Sequence, residues 1–184
     1  FQIKTYLCFF NIETYEMKKN LVLVGMMGSG KSTISRLLSD ITNQNLIDTD
    51  KLIEKEIGLK INEIFKKKGE NFFRKIEEKI VLNSLKFSNN IVAIGGGAFL
   101  NEKIREKIKN NCISVWLKCS EQTLIPRIKN SKKRPKTYLL KEKDLIKLIN
   151  DRSKIYSKAD YKINCDTLTK KEIMDKILKI YEKK

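Results

Sequence analysis

The chain contains no histidine. Any general base must therefore be a carboxylate, a lysine or water. Its four cysteines, Cys8, Cys112, Cys119 and Cys165, form no C-x-x-C pair. With histidine also missing, a structural zinc site is not expected, and scattered single cysteines suit a reducing compartment. Long apolar runs are missing too. The longest uncharged stretch near the front, Thr5 to Ile12, is about half of the roughly 20 residues that a bilayer span needs, and it carries polar residues. A basic leader followed by a longer apolar stretch and a small-residue cleavage site is not recognisable. A cytoplasmic protein with no membrane partner is expected.

Arginine is scarce. Of 39 basic residues, 33 are lysine and six are arginine, against 22 acidic residues, for a net charge of +17. The lysines are spread over nearly every helix-like segment and interleaved with glutamate, as on solvated helix faces. This distribution argues against nucleic acid as the main partner. What survives is a general attraction for anionic substrates.

What is present fits one globular domain. The chain has 184 residues, 41% of them hydrophobic and 33% charged, enough to bury a sizeable core. Met17 with the lysines behind it reads as a natural start, so residues 1–16 are expected to be an extension or a start-site artefact, with an extra edge strand as the alternative. Residues 17–184 then form one domain. Short β-branched runs at Leu21–Val24, Asn45–Ile47, Ile91–Ile94, Cys112–Leu117 and Tyr161–Ile163 alternate with amphipathic stretches. The helical pattern covers about 50–87, broken at Gly58 and Gly69, and recurs at about 101–109, 120–129 and 142–157 and at the end of the chain. Strands that alternate with helices imply an α/β protein with a parallel sheet of about five strands covered on both faces. Residues 130–141 lack an apolar period and carry Arg134-Pro135, as a lid would.

The segment Gly25-Met26-Met27-Gly28-Ser29-Gly30-Lys31-Ser32 matches G-x-x-x-x-G-K-[ST] between a strand and a helix. Glycines let backbone amides curl around phosphate oxygens, reinforced by the helix N-terminus. Lys31 should reach the outer phosphates, and Ser32 should offer its hydroxyl to Mg²⁺. A guanine-reading protein would want N-K-x-D late in the chain. The nearest approach, Ser157-Lys158-Ala159-Asp160, lacks the asparagine and precedes a strand.

Against so much lysine, the arginine positions are informative, because only arginine offers a planar fork to carboxylate and phosphate. Arg74, Arg127, Arg134 and Arg152 stand in distinctive settings, whereas Arg36 and Arg105 sit on ordinary helices. Asp48 and Asp50 flank Thr49 at the end of the second strand. In an extended segment both would point the same way, one toward the Mg²⁺ shell and the other toward an acceptor hydroxyl. The competing interpretation is a strand-to-helix junction capped by aspartate. Gly95-Gly96-Gly97 permits close approach of backbone to ligand.

Taken in order, these motifs resemble shikimate kinase from Asn20 to the last helix. The resemblance rests on residues 25–33, Asp48-Thr49-Asp50, Gly69-Glu70-x-Phe-Phe-Arg74-x-x-Glu77, Gly95-Gly96-Gly97, Arg134-Pro135, and Arg152-x-x-x-Tyr156 with Ala159-Asp160. It implies a three-layer P-loop kinase fold with a lid, and transfer of the ATP γ-phosphate to the 3-hydroxyl of shikimate in aromatic amino-acid synthesis. It further implies that Asp50, Lys31 and Arg134 carry the catalysis. ATP would be held by Gly28, Ser29, Gly30, Lys31, Ser32, Thr33, Arg127 and Arg134. Shikimate would be held by Asp50, Arg74, Gly95, Gly96, Gly97 and Arg152. Mg²⁺ would meet Ser32 and Asp48, directly or through water.

The chain departs from the family pattern in two places. Its lid reads Arg-Pro-Lys-Thr-Tyr-Leu-Leu where Arg-Pro-Leu-Leu is common, and the proline often found before the tyrosine matching Tyr156 is missing. An adenine-contacting position near Thr169-Lys170 does not align. A monomer is expected, with Asp50, Arg74, Gly96 and Arg152 lining one pocket that opens toward Lys31. Kinases for gluconate or nucleoside monophosphates are the nearest alternatives; a nucleotide-dependent RNA-binding protein is a more distant one.

Overall fold

The computed structural model describes residues 19–130 and 140–182. Residues 1–16, Arg134 and nearly all of the expected lid lie outside the described residues. Five strands, β1 (Asn20–Val24), β2 (Asn45–Asp48), β3 (Asn90–Ala93), β4 (Cys112–Lys118) and β5 (Tyr161–Asn164), form one sheet in the order β2-β3-β1-β4-β5. Every pairing is parallel, with Leu21 beside both Ile91 and Ile113, and Leu117 beside Ile163. The helices are α1 (Lys31–Thr42), α2 (Thr49–Ile57), α3 (Ile61–Lys67), α4 (Gly69–Ser84), α5 (Glu102–Asn111), α6 (Glu121–Lys129), α7 (Glu142–Tyr156) and α8 (Lys170–Glu182).

Period-two alternation along the strands feeds two cores. Leu21, Leu23, Val115 and Leu117 face α1 and α8, where they pack on Ile34, Leu38, Ile173 and Ile177. Val22, Val24, Val92 and Trp116 point the other way, against Val81 of α4, Ile104 and Ile108 of α5, Leu124 of α6, and Leu145 and Tyr156 of α7. A third cluster, Ile53, Ile61, Ile64, Phe73 and Ile80, binds α2, α3 and α4 to one another. Each such fully buried apolar side chain contributes about 1.5–3 kcal/mol, so this outlying corner has a core of its own.

Local chemistry sets the helix ends. Asn101 and Ser120 cap α5 and α6 by accepting from the Ile104 and Thr123 amides. The break expected at Gly58 is a left-handed residue at φ +71° that closes α2. Asp160 of the dismissed guanine motif is a brace between strands, its carboxylate accepting from the Ser114 amide at 2.8 Å and hydroxyl at 2.7 Å. In a parallel sheet all the carboxyl ends of the strands emerge together, and the motif-bearing loops leave from that edge.

Candidate active site

Between the end of β1 and the start of α1, the segment Gly25–Gly30 wraps into a loop in which Gly28 and Gly30 have φ of +82° and +93°. A side chain at either position would be strained. The Lys31 ammonium donates to the Gly25 and Met26 carbonyls at 2.7 and 3.0 Å. Arg127 of α6 packs on the outer side of the loop and donates to the Gly28 carbonyl at 3.0 Å.

The geometry behind the two aspartates differs from the expectation. The chain is not extended through Asp50, because α2 begins at Thr49. Asp48 is the N-cap of α2, accepting from the Lys51 amide at 3.3 Å, and Asp50 lies in the first turn. Capping thus wins at Asp48, since its oxygen satisfies an amide that the helix leaves unpaired. Both carboxylates nevertheless line the same cleft as Lys31 and Ser32. Thr49 between them turns inward and is buried; its hydroxyl accepts from the Gly95 amide at 3.2 Å. This contact ties the aspartates to the triple glycine.

Gly95 and Gly97 are glycines for a steric reason. A Cβ on Gly95 would lie 2.7 Å from Asp50 Oδ1 and 2.8 Å from Glu77 Oε1, and one on Gly97 would collide with the Arg74 guanidinium. The acidic and basic side chains therefore close directly over bare backbone. Arg74 bonds the buried Glu77 and also Glu70 of its own helix, and lies 5.3 Å over the Phe73 ring. Burial pulls the Arg74 pKa down, but the Glu77 and Glu70 carboxylates outweigh it and leave the pKa raised. On α7, the Tyr156 hydroxyl donates to the Gly96 carbonyl. Arg152, one turn earlier, is half-buried with Nη1 at 3.8 Å from Met26 Sδ of the phosphate loop.

One cleft of about 1340 Å³ runs along this edge, lined by residues 27–34, Asp48, Asp50, Gly96 and Arg127, and at one end by Cys165, Leu168 and Lys170. The expected single pocket is therefore found in part. Asp50, Gly96 and Lys31 share the cleft wall, while Arg74 and Arg152 do not line it; they pack on Gly97 and Met26, the chain neighbours of the lining residues Gly96 and Met27. The stretch near Thr169-Lys170 that would not align contributes Leu168 and Lys170 to the wall. Gly97→Ala should leave the fold intact, because the displaced group is the end of a flexible side chain. It should raise the KM for the acidic substrate about tenfold by moving Arg74, whereas unchanged steady-state kinetics would separate Arg74 from substrate binding.

A search among known families makes sense of this arrangement: residues 27–182 match the shikimate kinase family model. The chain belongs to the shikimate kinase family. A shikimate kinase from Sulfurihydrogenibium sp. is 39% identical over 162 residues, covering 87% of this chain and 96% of the relative. The solved shikimate kinase from Acinetobacter baumannii in complex with shikimate superposes with a TM-score of 0.85 at 30% identity, covering 92% of this chain and 96% of that one. A gluconokinase from Sinorhizobium meliloti shares the fold alone, at 15% identity and a TM-score of 0.54. The chain is thus an ATP-dependent small-molecule kinase of shikimate kinase type, with a place in aromatic amino-acid synthesis. No helix among the described residues is long and apolar enough to cross a membrane.

Sequence reasoning missed Thr49 and gave Glu77 and Tyr156 no role of their own. Thr49 and Tyr156 act through partners distant in the chain, which no local spacing signals, whereas the Arg74-x-x-Glu77 spacing on one helix could have shown that ion pair.

Proposed function

We propose that this chain moves the ATP γ-phosphate to the 3-hydroxyl of shikimate, with Asp50, Lys31 and Arg134 as the catalytic groups. The observation that carries the reading is the shared cleft wall of Lys31, Ser32, Asp48, Asp50 and Gly96. Phosphoryl transfer asks a protein mainly for positioning and electrostatic stabilisation. The loop glycines with Ser29 and Thr33 cradle the nucleotide, and Lys31 balances charge on the outer phosphates. Arg127 lies along the nucleotide end of the cleft. Asp50 takes the proton of the acceptor hydroxyl. Arg74 and Arg152, with Gly95, Gly96 and Gly97 between them, hold the shikimate carboxylate side by bidentate, charge-assisted bonds. Arg134 would come from the lid and meet the phosphates as water is excluded.

The donors at Ser32 and Asp48 are hard oxygens on one cleft wall, which suits Mg²⁺, an ion that takes one or two protein ligands beside phosphate and water. Bound there, the ion would neutralise charge on the phosphates. Residues 17–184 would work as one domain with a lid at about 130–141, as a monomer in the cytoplasm. A coupled ADP-release assay over shikimate, gluconate and nucleoside monophosphates tests the reading. Turnover is expected with shikimate, giving a phosphorylated product, and preferential turnover of another acceptor would refute it.

A further inference from the structure

Cys119 and Cys165 directly follow β4 and β5, whose register pairs Lys118 with Asn164. The two chains stay in step beyond the strand ends. The Cys165 amide donates to the Lys118 carbonyl at 2.8 Å, and one residue further on the Ser120 amide donates to the Asp166 carboxylate at 2.9 Å. Between those two fixed contacts the cysteines are lateral neighbours, the Cys119 thiol facing the Ser29 carbonyl at 3.9 Å and the Cys165 thiol the Ile163 carbonyl at 3.4 Å. Neighbouring strands run about 4.8 Å apart, inside the roughly 4.4–6.8 Å that a disulfide bridges between Cα atoms.

The pair adjoins the phosphate loop. Cys119 is buried with its sulfur 3.9 Å from the Ser29 carbonyl, and Cys165 is half-buried on the cleft wall. The neighbouring Cys165 holds the Cys119 thiol below its ordinary pKa, with help from the Arg127 and Lys31 charges, against burial and Asp166, while Cys119 and burial push the Cys165 thiol up. Cys112, at the far end of β4, has the opposite setting, and burial pushes it up to about 11. An inert cysteine and an activated one thus stand at the two ends of β4.

We propose that Cys119 and Cys165 are a peroxide-responsive dithiol whose closure to a disulfide weakens nucleotide binding at the adjoining loop. The nucleotide part rests on the ATP reading above. The Cys119 thiolate attacks one oxygen of hydrogen peroxide, the O–O bond breaks, and the other oxygen takes a proton and leaves as water. The Cys165 sulfur then attacks the resulting sulfenic sulfur. The S–O bond breaks, the oxygen leaves with the Cys165 proton as a second water, and an S–S bond remains. Two thiols are oxidised and one peroxide is reduced to two waters. Cys119 loses the hydrogen facing the Ser29 carbonyl, and Cys165 is drawn off the cleft wall toward β4. The loop and the wall beside it move together.

The test treats the full chain with hydrogen peroxide, maps cysteines by peptide mass spectrometry and titrates ADP by calorimetry before and after. The expected product has lost two hydrogens, with Cys119 and Cys165 in one linked peptide. A dithiol reductant should reverse the bridge, bound ADP should slow its formation, and the ADP Kd should rise about tenfold on closure. Cys165→Ser should instead stop at a sulfenic acid on Cys119 that dimedone captures. A bridge through Cys8 or Cys112, or oxidation with no bridge, would overturn the dithiol. An unchanged ADP Kd in the bridged protein would overturn its effect on the nucleotide. If the reduced chain does not bind ADP, the ATP reading itself fails, while the mapped bridge still reports on the thiol chemistry by itself.

Discussion

Asp50→Asn should lower shikimate turnover by about two to four orders of magnitude while ATP binding stays near normal. Asparagine keeps the shape of the side chain, so the contact with Gly95 and the first turn of α2 should survive. What it loses is the capacity to accept a proton and the charge that orients a hydroxyl. In a chain without histidine, the side chains left for this work are carboxylates and lysines. Asp48 is a poor substitute, because its oxygen already caps α2 through the Lys51 amide. Steady-state kinetics with shikimate, beside calorimetric titration with ADP, would measure both halves. A variant that turns over at nearly the native rate would remove Asp50 from the role of base.

Arg152→Lys should raise the shikimate KM about ten- to a hundredfold with a smaller effect on kcat, since charge-assisted hydrogen bonds contribute roughly 1.5–3 kcal/mol. The guanidinium leaves α7 one turn before Tyr156, whose hydroxyl bonds the Gly96 carbonyl, and it rests on Met26. Its direction is therefore set by the same helix that grips the triple glycine. Lysine preserves the charge but offers a single point where a carboxylate plane needs two parallel donors. A shikimate affinity unchanged by the substitution would refute the assignment, and an equal loss of ADP affinity would place Arg152 on the nucleotide side.

The two substitutions also separate what each half of the site needs. Loss of the Asp50 charge acts on the transition state, so kcat and kcat/KM should fall together. Loss of the Arg152 fork acts on substrate and transition state alike, so KM should carry most of the change.

Residues close together in the chain were legible in advance. The phosphate loop could be read because its conformation depends on glycines at fixed offsets between a strand and a helix. The parallel sheet could be read because apolar runs such as Leu21–Val24 and Cys112–Leu117 are too short and too continuous for amphipathic helices. The breaks at Gly58 and Gly69 fell where left-handed backbone ends one helix and begins another. The aspartate pair shows the limit. Sequence spacing pointed both side chains one way through an extended strand. The chain instead turns helical at Thr49, and the carboxylates reach the cleft by different routes, one as a cap and one from the first turn.

By itself the sequence determined the order of strands and helices, the phosphate loop, and which residue types could grip an anion, because each depends on neighbours a few positions away. Tertiary structure decided the closing of Arg74 over Gly97, the buried Glu77 beneath it, the hold of Tyr156 on Gly96, and the pairing of Cys119 with Cys165. Most of those contacts join segments far apart in the chain. They exist only once the five strands stack in parallel and bring their carboxyl ends to one edge, an arrangement that no local spacing encodes.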